Sequence, residues 1–266
     1  MTIPGKNLRR GRIFRNDGKS LIVAMDHGMA DGPIEGLEKP GQTLSKILSG
    51  GADAVLTTFG IAMQFHDLMK GRVGLIVRLD CGETSFWREP ESKEQWYKPY
   101  SVRDALRIGA DGVVVMGYLG IPSEGETLRN LAASSRECFE WGVPLLAEMI
   151  TFKNSTICAD VNSVAIGSRI GAEYGADFIK TYYSGEPAGF RRVTETCPVP
   201  VLIAGGEKMK ASRDVLEVTK ALMKAGAGGI AYGRNVWQHE KPEAMVRALA
   251  KIIHDDSSVE EALKLL

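Results

Sequence analysis

The chain of 266 residues carries 33 Lys and Arg against 33 Asp and Glu, so its formal net charge is zero. A balanced charge gives no indication of a basic surface that binds nucleic acid or an anionic membrane. About 250 residues suffice for one barrel of alternating strands and helices, so we expect a single domain over residues 1–266.

The compartment is predicted from what the sequence lacks. The start of the chain has no long apolar core of the signal-peptide kind, and no apolar run approaches the length of a membrane span. The 4 cysteines form no CxxC pair, which is typical of reduced thiols. We therefore expect a cytoplasmic protein.

Short apolar, β-branched runs recur along the chain and are typical of strands covered on both faces. They are Leu21–Met25, Ala54–Thr58, Gly74–Leu79, Gly112–Met116, Val143–Glu148, Ala176–Thr181, Val199–Ala204 and Gly229–Tyr232. Helix patterns between them are Thr43–Ser49, Arg103–Ile108, Thr127–Trp141, Asn162–Tyr174, Asp214–Ala225 and Pro242–His254. This alternation predicts a parallel sheet with right-handed crossovers.

A repeated Gly-Ala motif favours a closed (β/α)8 TIM barrel over an open sheet. It occurs at Gly51–Asp53, Gly109–Asp111, Gly175–Asp177 and Gly226–Gly228, before every second strand. Glycine after a helix supplies the left-handed turn that ends it. Lys6–Phe14, outside the repeat, is predicted to form a short helix over the barrel bottom. Cys81–Pro99, a long polar and aromatic stretch after the third strand, is interpreted as a lid or an oligomer contact.

Lys180 is the most informative polar residue, because it ends the sixth apolar strand directly after Phe178 and Ile179. An amine buried among apolar side chains favours its neutral form, which attacks a carbonyl carbon and forms an iminium. The alternative is a lysine that reaches the rim and pairs with Asp26. Asp26 itself ends the first strand, where it either moves protons or caps the next turn.

Two glycine-bearing loops predict a phosphate site. Gly205 and Gly206 follow the seventh strand, and Gly233 and Arg234 follow the eighth. The loops after these strands commonly bind phosphate in such barrels, and glycine lets the backbone approach the anion. The alternative is two tight turns with a surface arginine. The histidines His27, His66, His239 and His254 show no HxH or HExxH spacing, so we expect no metal and no cofactor.

Four strings resemble the archaeal-type class I aldolases. They are AMDHGMADGP (Ala24–Pro33), GADFIKTYYSGEP (Gly175–Pro187), CPVPVLIAGGEK (Cys197–Lys208) and AGAGGIAYGRNVWQHEKP (Ala225–Pro242). The resemblance implies that Lys180 is the Schiff-base lysine and Asp26 the proton-transferring aspartate. It implies a substrate-binding first loop containing His27, Gly28, Met29 and Ala30. It also implies that Gly205, Gly206, Gly233 and Arg234 bind phosphate, and that the chain forms a large homo-oligomer, possibly a decamer.

One position departs from this family. The fructose-bisphosphate aldolase and ulosonate synthase branches carry Tyr-Pro-Arg after the fifth strand, and the Tyr donates a proton. Ile150 stands at its place here, within Glu148–Lys153. The thiolase branch also lacks that Tyr. Glu148, Tyr118 and Tyr182 are the candidate substitutes.

Three functional hypotheses follow. The leading one is a class I aldolase that cleaves or forms a carbon–carbon bond of a phosphorylated ketose or diulose through Lys180. The second keeps the lysine and transfers an acyl group to coenzyme A from a phosphorylated dione. The third is a sugar-phosphate-binding barrel without catalysis.

Overall fold

The computed structural model describes residues 3–86 and 95–266, and its strands close into a barrel. The strands are β1 (Ser20–Ala24), β2 (Ala54–Thr58), β3 (Gly74–Arg78), β4 (Gly112–Leu119), β5 (Leu145–Lys153), β6 (Thr156–Ile157), β7 (Phe178–Thr181), β8 (Val201–Ala204) and β9 (Gly229–Tyr232). All but β6 pair in parallel in the order β1-β2-β3-β4-β5-β7-β8-β9, and β9 pairs with β1 to close the ring. The predicted (β/α)8 TIM barrel and its strands are confirmed.

Helices surround the barrel. They are α1 (Pro4–Ile13), α2 (Gly28–Asp31), α3 (Pro40–Gly50), α4 (Phe59–Gln64), α5 (His66–Met69), α6 (Val102–Arg107), α7 (Glu124–Trp141), α8 (Val161–Glu173), α9 (Pro187–Thr196), α10 (Ser212–Lys224), α11 (Arg234–Trp237), α12 (Pro242–His254) and α13 (Val259–Leu263). The predicted helices are present within a few residues of their expected ends. Within the described ranges, no helix has the length and apolar character needed to span a membrane.

The Gly-Ala motifs act as helix-to-strand connectors. Gly51, Gly109, Gly175 and Gly226 have φ of 85°, 85°, 91° and 88°, the left-handed conformation that glycine adopts without strain. In three copies the following aspartate accepts a hydrogen bond from a backbone N–H in the first two residues of the preceding barrel strand: Leu21 for Asp53, Leu75 for Asp111 and Leu145 for Asp177. The motif therefore ends a helix and ties two neighbouring strands together.

Basic side chains from the first segment of the chain bind these same aspartates. Lys6 Nζ lies 2.9 Å from Asp177, Arg12 2.7 Å from Asp111, and Arg15 2.5 Å from Asp53. In the fourth copy Gly228 replaces the aspartate, because a Cβ there would lie 2.8 Å from the Cβ of Pro200. Three ion pairs thus fasten the first segment across the amino-terminal end of the barrel.

The barrel interior is an apolar column that α1 closes from below. Its buried members are Ile13, Phe14, Ile22, Ala24, Ala54, Leu56, Ile76, Val114, Leu146, Phe178, Leu202 and Ala231. The Phe14 ring meets the edge of Phe178 with ring centroids 5.2 Å apart. The prediction that the first helix covers the barrel bottom is confirmed. Because side chains alternate along a strand, Lys180 lies on the same interior face as Phe178, one step nearer the carboxyl end.

Candidate active site

Charged side chains from the carboxyl ends of four strands meet above this column. Asp26 follows β1, Arg78 ends β3 and Asp80 comes two residues later; Glu148 lies in β5 and Lys180 in β7. Each is buried, the most exposed being Asp26 at 9%. Buried charges are costly unless they are paired. A group of five at the carboxyl ends of the strands therefore indicates a functional site.

Lys180 and Glu148 form the pair at the centre of this cluster. The two residues are register partners on neighbouring strands, and Lys180 Nζ lies 2.6 Å from Glu148 Oε1. The sequence predicts an amine among apolar side chains; the structure adds a carboxylate beside it, because β5 supplies Glu148 at the register position where β7 supplies Lys180. The alternative ion pair with Asp26 is replaced by one with Glu148.

Arg78 connects three carboxylates. Its Nε donates to Asp26 Oδ2 and its Nη2 donates to Glu148 Oε2, while Nη1 donates to Asp80 Oδ1 at 3.2 Å. The planar, permanently charged guanidinium suits such a fork better than an ammonium does. Arg78 therefore fixes the positions of Asp26 and Glu148 relative to each other.

The network keeps two carboxylates ionised. Burial alone would raise the pKa of Asp26, but the charges of Arg78 and then Lys180 hold that pKa well below its ordinary value. Burial acts in the same direction on Glu148, and the charges of Lys180 and Arg78 likewise hold its pKa below the ordinary value. Both groups are therefore carboxylates at neutral pH.

Asp80 anchors the loop that follows β3. Its Oδ2 accepts 2.7 Å hydrogen bonds from the Met116 N–H and from Trp96 Nε1. Burial raises the pKa of Asp80, and Arg78 only partly opposes it. Trp96 thereby lies beside the charged cluster. Residues 87–94 of the predicted lid or oligomer contact lie outside the described residues, so that interpretation stays a prediction.

The first loop contributes His27 close to Asp26. His27 Nδ1 lies 3.7 Å from Asp26 Oδ1, and its ring meets the Trp237 ring edge-on at 5.4 Å. Burial lowers the pKa of His27, with Asp26 opposing, which favours a neutral imidazole. The other predicted residues of this loop, Gly28, Met29 and Ala30, form the first turn of α2 directly after it.

Asn235 joins the two predicted phosphate loops. Its Nδ2 donates to the carbonyl oxygens of Gly205 at 2.8 Å and Glu207 at 3.2 Å, and its Oδ1 accepts from the Met209 N–H at 2.8 Å. A Cβ on Gly205 would come within 3.1 Å of Asn235 Nδ2, so the glycine permits this close approach. Gly206 follows with φ of 63° and open space at its Cβ position.

Gly233 and Arg234 complete this side of the mouth. Gly233 packs against the first loop, since a Cβ there would lie 2.9 Å from His27 Cε1. Arg234 Nη1 lies 2.5 Å from Glu207 Oε1, while its buried Nε has no hydrogen-bond partner among the described residues. Glu207 is 86% exposed, so an incoming anion meets little resistance in displacing it.

A family model decides the assignment. Residues 20–239 match the model of the DeoC/LacD family aldolases, which spans every barrel strand described above. The chain belongs to this family. It is a class I aldolase, a lyase that forms a Schiff base. Family membership favours the enzyme hypotheses over a binding barrel without catalysis.

Three relatives match over nearly the whole chain. An uncharacterized aldolase of Saccharolobus solfataricus is 34% identical, covering 98% of this chain and 99% of its own. The 2-amino-3,7-dideoxy-D-threo-hept-6-ulosonate synthase of Halobacterium salinarum is 36% identical over 99% and 97%. The 3-hydroxy-5-phosphonooxypentane-2,4-dione thiolase of Yersinia enterocolitica is 31% identical over 98% and 86%.

The chain is also similar to a solved aldolase structure that contains a covalent reaction intermediate. It is an archaeal fructose-1,6-bisphosphate aldolase whose catalytic Lys is covalently bound to the carbinolamine intermediate of the substrate. The aldolase here is similar to it with a TM-score of 0.83 and 31% identity, over 93% of this chain and 99% of that chain.

The departure at position 150 is a feature of the site in this aldolase. Ile150 is buried, and its register partner on β4 is Tyr118. The Tyr118 ring contacts Trp96 and Phe152 edge-on, at 4.9 and 5.3 Å between centroids. Ile150 follows Glu148 by two residues, so both face the barrel mouth. An alkyl side chain and an aromatic group therefore border the cluster on this side.

Sequence reasoning missed Arg78, Asp80 and Asn235. Arg78 is a charged residue inside an apolar strand, which is the same signal that singled out Lys180. Asp80 follows it with the strand alternation of two, so both were detectable. Asn235 directly follows the predicted phosphate-binding residues Gly233 and Arg234, but nothing in the sequence indicates that its amide reaches across to the neighbouring loop.

Proposed function

We propose that Lys180 forms the Schiff base with the ketone of a phosphorylated ketose or diulose. The observation that carries the proposal is the buried amine at the carboxyl end of the barrel, 2.6 Å from the Glu148 carboxylate. The carboxyl ends of the strands are where barrels of this type place their chemistry. An iminium on this nitrogen withdraws electrons from the neighbouring carbon–carbon bond.

Asp26 acts next, on the iminium of the substrate. Its carboxylate takes the proton of the hydroxyl on the far carbon of the bond that breaks. The C–C electron pair moves toward the iminium and leaves an enamine, while the hydroxyl carbon departs as an aldehyde. The enamine carbon regains a proton from Asp26, and water then releases the ketone. The charge of Arg78 keeps Asp26 ionised for the first of these transfers.

The phosphate is held by Gly205, Gly206, Gly233 and Arg234. Backbone N–H groups and a guanidinium bind phosphate oxygens well, and the unpartnered Arg234 Nε supports this role. Anchoring one end of the substrate fixes the distance between its carbonyl carbon and the lysine. Such alignment lowers the barrier of the bond-forming step.

Borohydride trapping tests this function. The wild type is incubated with dihydroxyacetone phosphate as the probe and reduced, and the adduct is located by peptide mass analysis. We expect the adduct on the peptide that contains Lys180 and none in Lys180→Met. Lys153→Met, at the exposed end of β5, is the matched control and keeps the adduct. An adduct on another lysine, or none in the wild type, contradicts the proposal.

A second candidate reaction is acyl transfer to coenzyme A from a phosphorylated dione. Ile150, which offers no transferable proton, favours it, and the Yersinia relative is named a thiolase. Product analysis with and without coenzyme A separates the two reactions. Turnover that is independent of coenzyme A excludes the second candidate.

We also propose that the chain works as a homo-oligomer in the cytoplasm. Large apolar side chains on outer helices support the assembly: Phe139 is 71% exposed on α7 and Ile166 57% on α8. The four cysteines are free, as thiols of a reducing compartment are. Sedimentation velocity tests the assembly, and a single species at the monomer mass of 28.9 kDa contradicts it.

A further inference from the structure

The two oxygens of Glu148 have different partners. Oε1 lies 2.6 Å from Lys180 Nζ, and Oε2 is bound by Arg78 Nη2. Because Glu148 and Lys180 are register partners on parallel strands, the backbone of the barrel fixes their separation. Glu148 is buried, with 8% of its surface exposed, so bulk water is a poor competitor for the proton of the amine.

We propose that Glu148 is a catalytic residue that carries protons between the Lys180 nitrogen and the departing carbonyl oxygen during Schiff-base formation. The proposal rests on the function proposed for Lys180 and assigns the proton transfers that this function requires. Ile150, the next side chain on the same face of β5, offers no proton of its own.

The proton balance of the step requires such a group. The ammonium gives one proton to Glu148, and the free amine attacks the ketone carbon, so that a C–N bond forms and the carbonyl oxygen becomes an alkoxide. Glu148 gives its proton to this oxygen. It then removes a second proton from the nitrogen and gives that one to the hydroxyl, which leaves as water. The C–O bond breaks, the nitrogen lone pair forms the iminium, and Glu148 ends as the carboxylate it was.

The other acidic groups of the cluster are less suited to this step. Among the residues that the structure describes, Glu148 is the one whose carboxylate pairs with the Lys180 amine. Asp80 is occupied by Met116, Trp96 and Arg78. Asp26 binds Arg78, and in the proposed mechanism it accepts the proton of the substrate hydroxyl instead. The positive charges of Lys180 and Arg78 keep Glu148 ionised in spite of burial, as a proton acceptor must be.

Oxygen exchange measures this step without the carbon–carbon chemistry. Dihydroxyacetone phosphate labelled with ¹⁸O at its ketone loses the label to water whenever a carbinolamine is dehydrated and the iminium is hydrolysed again. We expect rapid loss with the wild type, and Lys180→Met gives the uncatalysed background. Glu148→Gln, which keeps the shape but accepts no proton, is expected to slow the catalysed loss roughly 10²- to 10⁴-fold.

The matched control is Glu137→Gln. Glu137 also pairs with a lysine at 2.6 Å, Lys98, but it lies on the outer helix α7, away from the cluster. This variant is expected to exchange at the wild-type rate. Tyr182→Phe tests one of the two tyrosine candidates for the proton donor and is expected to keep most of the exchange. Exchange by Glu148→Gln at the wild-type rate, or its loss only in Tyr182→Phe, overturns the proposal.

Folding and the proposed function are checked separately. Thermal melting checks that each variant is folded. If Glu148→Gln is unfolded, Glu148→Asp replaces it in the exchange experiment. The aspartate keeps the carboxylate but moves it away from Lys180, because its side chain is shorter by one methylene. Slower exchange by Glu148→Asp supports the proposal, and an unchanged rate overturns it. Wild type that neither exchanges the label nor gives a borohydride adduct contradicts the function of Lys180. Wild type that does both, while the Glu148 variants keep the full rate, contradicts this inference alone.

Discussion

Glu148 and Lys180 stand at the same height on the neighbouring parallel strands β5 and β7, and their charged atoms meet at 2.6 Å. This pairing places a proton acceptor beside the amine before any substrate arrives. Arg78 holds the far oxygen of the glutamate, so the carboxylate has little freedom to turn away. The proposed Schiff-base site is therefore already organised before substrate binds.

Arg78→Met is expected to destabilise the protein strongly. The substitution leaves Asp26, Asp80 and Glu148 without their shared cation, and uncompensated buried charges typically cost about 3–5 kcal/mol. Urea unfolding followed by circular dichroism measures the loss. The control is Arg169→Met, which breaks an exposed pair with Glu173 and should change stability little. Equal stability of the two variants would mean that the ion pairs of Arg78 contribute nothing to the free energy of unfolding.

Arg234→Gln is expected to weaken binding of the phosphorylated substrate. Hydrogen bonds to charged groups contribute about 1.5–3 kcal/mol, which corresponds to roughly a 10- to 100-fold rise in KM. The same ketone without its phosphate should bind this variant and the wild type equally. Arg213→Gln, on the surface of α10, serves as control. A KM that is unchanged for the phosphorylated ketone would place the phosphate elsewhere.

Asn235→Ala is expected to loosen the loop after β8. The change removes the partners of the Gly205 carbonyl and the Met209 N–H, at a cost of roughly 1–3 kcal/mol for the buried groups left unpaired. KM for the phosphorylated ketone should rise, while the rate of Schiff-base trapping at saturation stays close to that of the wild type. Asn7→Ala, exposed on α1, is the control. A fall in trapping at saturation with no change in KM would argue against a role in phosphate binding.

His254 is expected to make stability depend on pH. Burial alone would lower its pKa, but hydrogen bonds to Asp53 and Asp17 outweigh burial and raise the pKa above the ordinary 6.5. The folded state therefore favours the charged ring. Its contribution to stability is complete below pH 6.5 and is lost as the pH rises through the raised value.

Urea unfolding of wild type and His254→Gln across this range measures the effect. The stability difference between the two proteins should be largest at the acid end and shrink as the pH rises. His66→Gln, at an exposed histidine, should show no such trend. A difference that grows with pH would reverse the sign and refute the argument.

The barrel was readable from the sequence because its strands are buried on both faces and therefore appear as continuous apolar runs. The positions of Lys180 and Asp26 followed from the same rule, since polar residues at the ends of such runs meet the substrate. Helix α9 was missed because it buries little beyond Phe190 and Val193. The small strand β6 depends on Asn154 and Ser155 with φ of 51° and 59°, a turn that the local sequence signals weakly.

The ionic network itself was not predictable, because its contacts join residues far apart in the chain. Arg78 and Glu148 are 70 positions apart, and their encounter depends on the register of strands β3 to β5. Apolar patterning indicates that a strand is buried, but it does not specify the register in which the strand pairs with its neighbour. For this reason the pairing of the Lys180 amine with Glu148 was not foreseen. The single domain and the lid stay predictions.

Helix α1 and Phe14 close the amino-terminal end of the barrel, below the proposed site. The Phe14 ring packs against Phe178, the interior side chain directly below Lys180. Ion pairs of Lys6, Arg12 and Arg15 with three aspartates hold the same segment against the barrel. A shortened chain without Phe14 would leave the Phe178 ring, which lies one layer below Lys180, without the aromatic ring that covers it. We therefore expect truncations of this segment to loosen the packing beneath Lys180, although the segment lies at the opposite end of the barrel from the proposed site.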